Sequence, residues 1–143
     1  MKREIEFKVW DNENKEFSNW TNRDPHFDVS NGRLFFWERT RKEDGSYNGD
    51  IILQDHGDRF ILLQYTGCKD KNGAPIYEGD ILANDLIIPH DNDNIGVVYF
   101  AAGTFMIDGD GPFYDHVYGH SPDILDNHTV IGNKYENPEL LKR

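Results

Sequence analysis

Eighteen residues, Gln64 to Ile81, constrain this chain more than any others. They read QYTGCKDKNGAPIYEGDI, begin at the end of the apolar run Phe60-Ile61-Leu62-Leu63 and finish in another, Ile81-Leu82. Between the runs, Asn72-Gly73 supplies residues that tolerate positive φ, and Pro75 fixes the chain beyond them. The segment reads as strand, tight turn, strand. Gly79-Asp80 then predicts a second bend, after which Ile81 enters a buried strand. Hydrophobic-x-Gly-Asp-hydrophobic suits such a strand start in small SH3-like barrels. Asp80 is expected to tie down the backbone amides of the bend rather than to do chemistry.

Period-two patterning runs through the rest. Ile5, Phe7 and Val9 alternate with Glu6 and Lys8, which predicts one apolar face. Asn12 to Lys15 is a polar turn, and Phe17 to Trp20 can return as a partner. Phe27 to Ser30 and Arg33 to Trp37 flank Asn31-Gly32, a hairpin signal of the type I′ class. Arg39 to Gly49 is charged and turn-rich and reads as a loop. Asp50 to Gln54, Phe60 to Tyr65, Ile76 to Asn84, Gly96 to Phe100, Thr104 to Ile107 and Thr129 to Ile131 read as short strands. Apolar spacing at 3.6 is nearly absent. The tail is the exception: Asn137 can cap, Pro138 suits the first helical position and Glu139 favours the positive end. The expected class is all-β with minor helical turns: a small bent sheet or SH3-like, partly open barrel in the C-terminal part, with N-terminal hairpins before it. Residues 1–143 read as one domain, with a weak subdivision into hairpins at 1–48 and a barrel-like part at 49–143.

Cys68 is the single cysteine, so no internal disulfide can form and a reducing compartment is expected. No run of about 18 apolar residues exists, and the first residues are charged, so neither a membrane span nor a secretory signal is expected. The net charge of −11 is uneven. From Asn72 to Asn133 there is no Lys or Arg, but there are ten Asp and Glu; residues 1–71 carry twelve basic and fourteen acidic side chains. Such a segment keeps an aromatic-rich sheet protein dispersed, or offers a face to a basic partner. It argues against direct nucleic-acid binding, which needs clustered Lys and Arg.

Few residues suggest chemistry. Asp91 to Gly96 begins like a calcium loop, but Ile95 stands at the fifth place and Ala102 where a bidentate Glu belongs. Asp108-Gly109-Asp110-Gly111 fails likewise at Pro112. Asp115, His116 and His120 are the best metal candidates, and only a third ligand such as His90 or His128 could complete a site. Gly119, Ser121 and Pro122 argue against the helix that would align His116 with His120. His26, His56, His90 and His128 read as residues of polar loops or strand edges. Cys68 reads as small and half-buried, although adjacent Lys69 could lower its pKa slightly. No catalytic, cofactor-binding or metal-binding residue is therefore assigned. Phe35-Phe36-Trp37 puts aromatics on both faces of one strand, and Phe113-Tyr114 with Tyr118 does so in an acidic loop. One face must then meet solvent or a partner.

The central motif resembles the YopX family, small proteins found mostly in bacteriophages and prophages. Two further landmarks support it. The opening Ile5-Glu6-Phe7-Lys8-Val9-Trp10-Asp11 with Asn14-Lys15 is similar to the family's opening, and Val130-Ile131-Gly132-Asn133-Lys134-Tyr135-Glu136-Asn137-Pro138-Glu139-Leu140-Leu141 to its closing run. Cys68 departs from the aliphatic residue more usual there. The resemblance implies a phage or prophage accessory protein in the host bacterial cytoplasm and brings no reaction with it. Joined to the residue readings, it favours a non-enzyme without cofactor that acts by protein–protein binding, as a homo-oligomer or on a host protein. Two alternatives follow from other observations. One is an acidic inhibitor of a host DNA-binding or defence enzyme; the other is a metal-dependent hydrolase using Asp115, His116 and His120.

Overall fold

The computed structural model describes residues 4–18, 25–28, 33–55, 57–88, 93–117, 121 and 123–142, with backbone alone for 25–28, 33–40, 48–55 and 57. The protein is all-β, with 3-10 turns as its only helical pieces among the described residues. It divides into two compact units, residues 1–8 with 63–143, and residues 9–62. Strands β1 (Phe7–Asp11) and β6 (Phe60–Asp70) each run across that division.

In the smaller unit, β1 pairs antiparallel with β2 (Glu16–Phe17) through the expected polar turn. Trp10 sets its ring edge-on to Phe17 at 5.1 Å. The burial does not follow the expected alternation. Val9, Trp10 and Asp11 are all buried, whereas Ile5 and Phe7 are exposed. Asp11 explains the break, because its carboxylate accepts from Glu13 N at 3.0 Å, Asn14 N at 3.2 Å and Arg59 Nε and Nη2 at 3.1 and 3.0 Å. Val9 packs with Phe60 and Leu62. A second sheet runs β3 (Pro25–Asp28), β4 (Arg33–Arg41), β5 (Tyr47–Asp55), antiparallel throughout. β3 and β4 form a hairpin as predicted, but in a register that sets Asp28 opposite Arg33, where a two-residue turn at Asn31-Gly32 would set Ser30 there. Asn31-Gly32 lies outside the described residues, as do the side chains of Phe35, Phe36 and Trp37.

Arg39 to Gly49 corrects the loop reading. β4 continues to Arg41 and β5 resumes at Tyr47, with Arg41 opposite Tyr47. Asp44 accepts from Ser46 N at 2.9 Å and Lys42 N–H donates to Ser46 O at 2.8 Å, closing a tight turn. The charged composition marks exposed strand ends here, not an absence of pairing.

In the larger unit, β7 (Pro75–Tyr77) folds back antiparallel on β6, and β12 (Ile124–Leu125) lies parallel on it. The turn between β6 and β7 is that of the central motif, with Gly73 at φ 85°. Asp70, 1% exposed, accepts from Asn72 N and Ala74 N through Oδ1, both at 2.9 Å, and from Val130 N through Oδ2 at 3.0 Å. A second sheet runs β11 (Gly111–Pro112), β10 (Thr104–Ile107), β9 (Ile95–Ala101), β8 (Asp80–Asn84), β13 (His128–Asn133). It begins at β11 and ends at β13 and does not close into a barrel. Ile76, Leu82, Val98, Phe105, Ile107, Phe113 and Leu125 form the core. A bulge in β13 sets Val130 opposite Leu82 and Gly132 opposite Ile81, which leaves the extra residue, Ile131, exposed. Asp80 does what the sequence predicts: Oδ2 accepts from Tyr77 N at 2.8 Å. Oδ1 also accepts from Asn133 Nδ2 at 3.1 Å. A 3-10 turn follows at Pro138–Leu141, but Asn137 does not cap it; its Oδ1 accepts from Asn133 N at 3.1 Å.

Candidate functional site

Polar side chains from four separate stretches of the larger unit meet around Asp110. The residue lies in the β10–β11 turn between Gly109 and Gly111, both at φ 86°. A side chain at either neighbour would be strained in that conformation. Its Oδ2 accepts from Asn84 Nδ2 at 3.2 Å, at the end of β8, and pairs with His128 Nε2 at 3.1 Å, at the start of β13. Asn84 and His128 are themselves opposite one another in the β8–β13 ladder. The carbonyl of Asp110 accepts from His116 Nε2 at 2.8 Å, just beyond the 3-10 turn Phe113–Asp115. The two imidazoles are then 4.8 Å apart and nearly perpendicular.

These contacts settle the tautomers. A carbonyl can only accept, so His116 carries hydrogen on Nε2. The carboxylate oxygen likewise takes the Nε2–H of His128. That leaves His128 Nδ1 buried, with no hydrogen-bond partner among the described residues. Burial holds the His128 pKa below the usual imidazole value, against the opposing pull of Asp110. Asp85, exposed beyond β8, pairs with Lys71 at 2.6 Å.

Of the sequence-based metal candidates, the structure brings His116 and His128 together and leaves Asp115 exposed at the surface. His120 and His90 lie outside the described residues. Among the described residues, no group of three or more His, Cys, Asp or Glu is placed to hold a metal ion. His128 lies on an edge strand, as the sequence suggests, but it is 1% exposed, with the His116 ring against its own. Asp110 is likewise no ordinary turn residue. Neither role had a local signal; only Gly-Asp-Gly announced an unusual backbone.

Elsewhere, burial and Asp123 push the Cys68 thiol up, so adjacent Lys69 does not make it a ready nucleophile. Tyr77 is pushed up to about 12 by burial and by its hydrogen bond to Glu6 Oε2 at 3.1 Å. Phe113 is buried while Tyr114 is exposed, so that pair does face two ways; Tyr118 lies outside the described residues. Leu86 and Ile88, two positions apart in the turn after β8, are 72% and 89% exposed. No described helix is long and apolar enough to cross a membrane.

Residues 6–142 match a family model described as YopX protein. A crystal structure of protein EF1440 from Enterococcus faecalis is similar at a TM-score of 0.63 and 30% identity, over 99% of this chain and 100% of that one. No curated protein matches.

Proposed function

Since the chain belongs to the YopX family, we propose that it is a phage or prophage accessory protein that works by protein–protein binding in the host bacterial cytoplasm, as a homo-oligomer and without catalysis. One observation carries this reading: Leu86 and Ile88 stand in water on a single turn of an acidic segment. Large aliphatic side chains so exposed, beside a charge such as Asp85, are the composition of a contact surface. Tyr114 beside Asp115 repeats the pattern.

Light scattering across a concentration series tests it. The native protein is expected to exceed monomer mass, and Leu86→Ser with Ile88→Ser to lower that mass while the fold persists. A monomer at every concentration, indifferent to both changes, overturns self-association.

The acidic-inhibitor reading keeps one supporting observation. Asp85, Asp93, Asp108, Asp115 and Asp126 are exposed within the stretch that lacks Lys and Arg. Charge reversal at Asp108 and Asp115 suits its test, because neither side chain supports the Asp110 cluster. Loss of competition with DNA for a host DNA-binding protein would favour this reading; no competition by the native protein removes it.

A further inference from the structure

His128 is 1% exposed, and its two ring nitrogens differ completely in surroundings. Nε2 is held by the Asp110 carboxylate, whereas buried Nδ1 has no hydrogen-bond partner among the described residues. A proton reaching the neutral ring must land on Nδ1, where no acceptor waits among the described residues. A buried N–H cation without an acceptor is costly. We propose that His128 is the proton-operated pin of a clasp: neutral, it fastens the β10–β11 turn and the His116 segment to β8 and β13, and protonated, it lets them go.

The clasp joins residues far apart in the chain, so its release has a defined reach. Asp110 is the shared acceptor for Asn84 and His128, and its carbonyl holds His116. The groups facing His128 are Asp110 from the turn, His116 from beyond Phe113–Asp115, and Asp85 from beyond β8, the last already paired with Lys71. Burial is the largest influence and opposes charge; His116 opposes it too, while Asp110 and Asp85 favour it. The folded value therefore lies below the ordinary 6.5. An opened clasp returns His128 to water, where it binds more protons than the closed one. Closure is fully favoured above 6.5 and weakens as pH falls from there toward the lowered value. Once pH is below both, the opening constant rises about tenfold for each unit between them.

Amide hydrogen exchange, corrected for the intrinsic pH dependence of exchange, reads this directly between about pH 7.5 and 5.5, where only histidine ordinarily titrates. Amides of residues 108–117 are expected to lose protection at the lower pH, while those of Ile76 and Leu82 keep theirs. His128→Gln keeps a donor for Asp110 but cannot take a proton, and is expected to abolish the change; His116→Gln is expected to leave a pH dependence in place. Imidazole nitrogen shifts of the native protein supply a check that needs no variant to fold. They are expected to place hydrogen on Nε2 and the midpoint below 6.5. A midpoint at or above it, hydrogen on Nδ1, or pH-independent protection of 108–117 overturns the proposal.

Discussion

In the smaller unit Asp11 meets a guanidinium, while in the larger unit Asp80 meets hydrogen-bond donors that carry no charge. The two residues are equally hidden, 5% and 4% exposed. Arg59 above all holds Asp11 down to about 2, whereas burial pushes Asp80 up despite the donors from Tyr77 and Asn133. At Asp11 the hydrogen bonds from Arg59 outweigh burial, whereas at Asp80 burial outweighs the hydrogen bonds it accepts. The surroundings differ in kind as well. Seven apolar residues form the core of the larger unit, and Asp80 only trims its margin. Among the described residues of the smaller unit, Val9 and Phe60 pack with Leu62, and Trp10 is buried against Phe17 beside the Asp11–Arg59 pair.

Substitutions can break that contrast. Leu125→Ala, emptying a fully buried position in the larger core, is expected to cost most, about 3–4 kcal/mol by denaturant unfolding. Asp11→Ala removes two hydrogen bonds from Arg59, which keeps its pairing with Glu13, takes the acceptor from two turn amides, and is expected to cost about 2–3 kcal/mol. It should exceed Val9→Ala, at about 1–2 kcal/mol; the reverse order would deny the ion pair its weight. Asp80→Asn opposes its new amide to that of Asn133, which Tyr135 N holds in place through Oδ1, and should cost about 1–2 kcal/mol.

Acidity sharpens the comparison further. Asp11 has its folded pKa depressed, so its contribution, about 2 kcal/mol, is complete above 3.8 and lost as pH falls toward about 2. Asp80 has its folded pKa raised, so native protein should gain on Asp80→Asn as pH drops toward 3.8. Stability differences measured between native protein and each variant should slope in opposite directions. Matching slopes would mean that Arg59 does not separate the two carboxylates. The smallest effect belongs to Leu86→Ser, expected within about 0.5 kcal/mol of native because the side chain is largely exposed to water in the folded chain.

The strands were legible in the chain because their signals are local. Asn72-Gly73 announces its turn, and Asp80 reaches only three residues back for its amide. The failures have a common physical form. Val9, Trp10 and Asp11 are buried in succession because Arg59, distant in sequence, makes a polar residue acceptable inside. Arg39 to Gly49 looks like a loop because charge is read as exposure, yet an exposed strand end pairs as well as a buried one. His128 and Asp110 acquire their surroundings only when four stretches of chain converge, and no spacing encodes that. Family membership was legible from the motif and the two flanking runs, since those are sequence properties outright.

The tip between β6 and β7 looks like an inviting place for an epitope tag, being short and polar, with Lys71, Asn72 and Gly73 exposed. Asp70 makes it a poor one. The same carboxylate that rounds the tip also grips Val130 in the last strand, sixty residues downstream. Residues inserted after Lys71 would pull apart the amides that Asp70 gathers and loosen the chain's final strand with them, so a label on this protein belongs elsewhere.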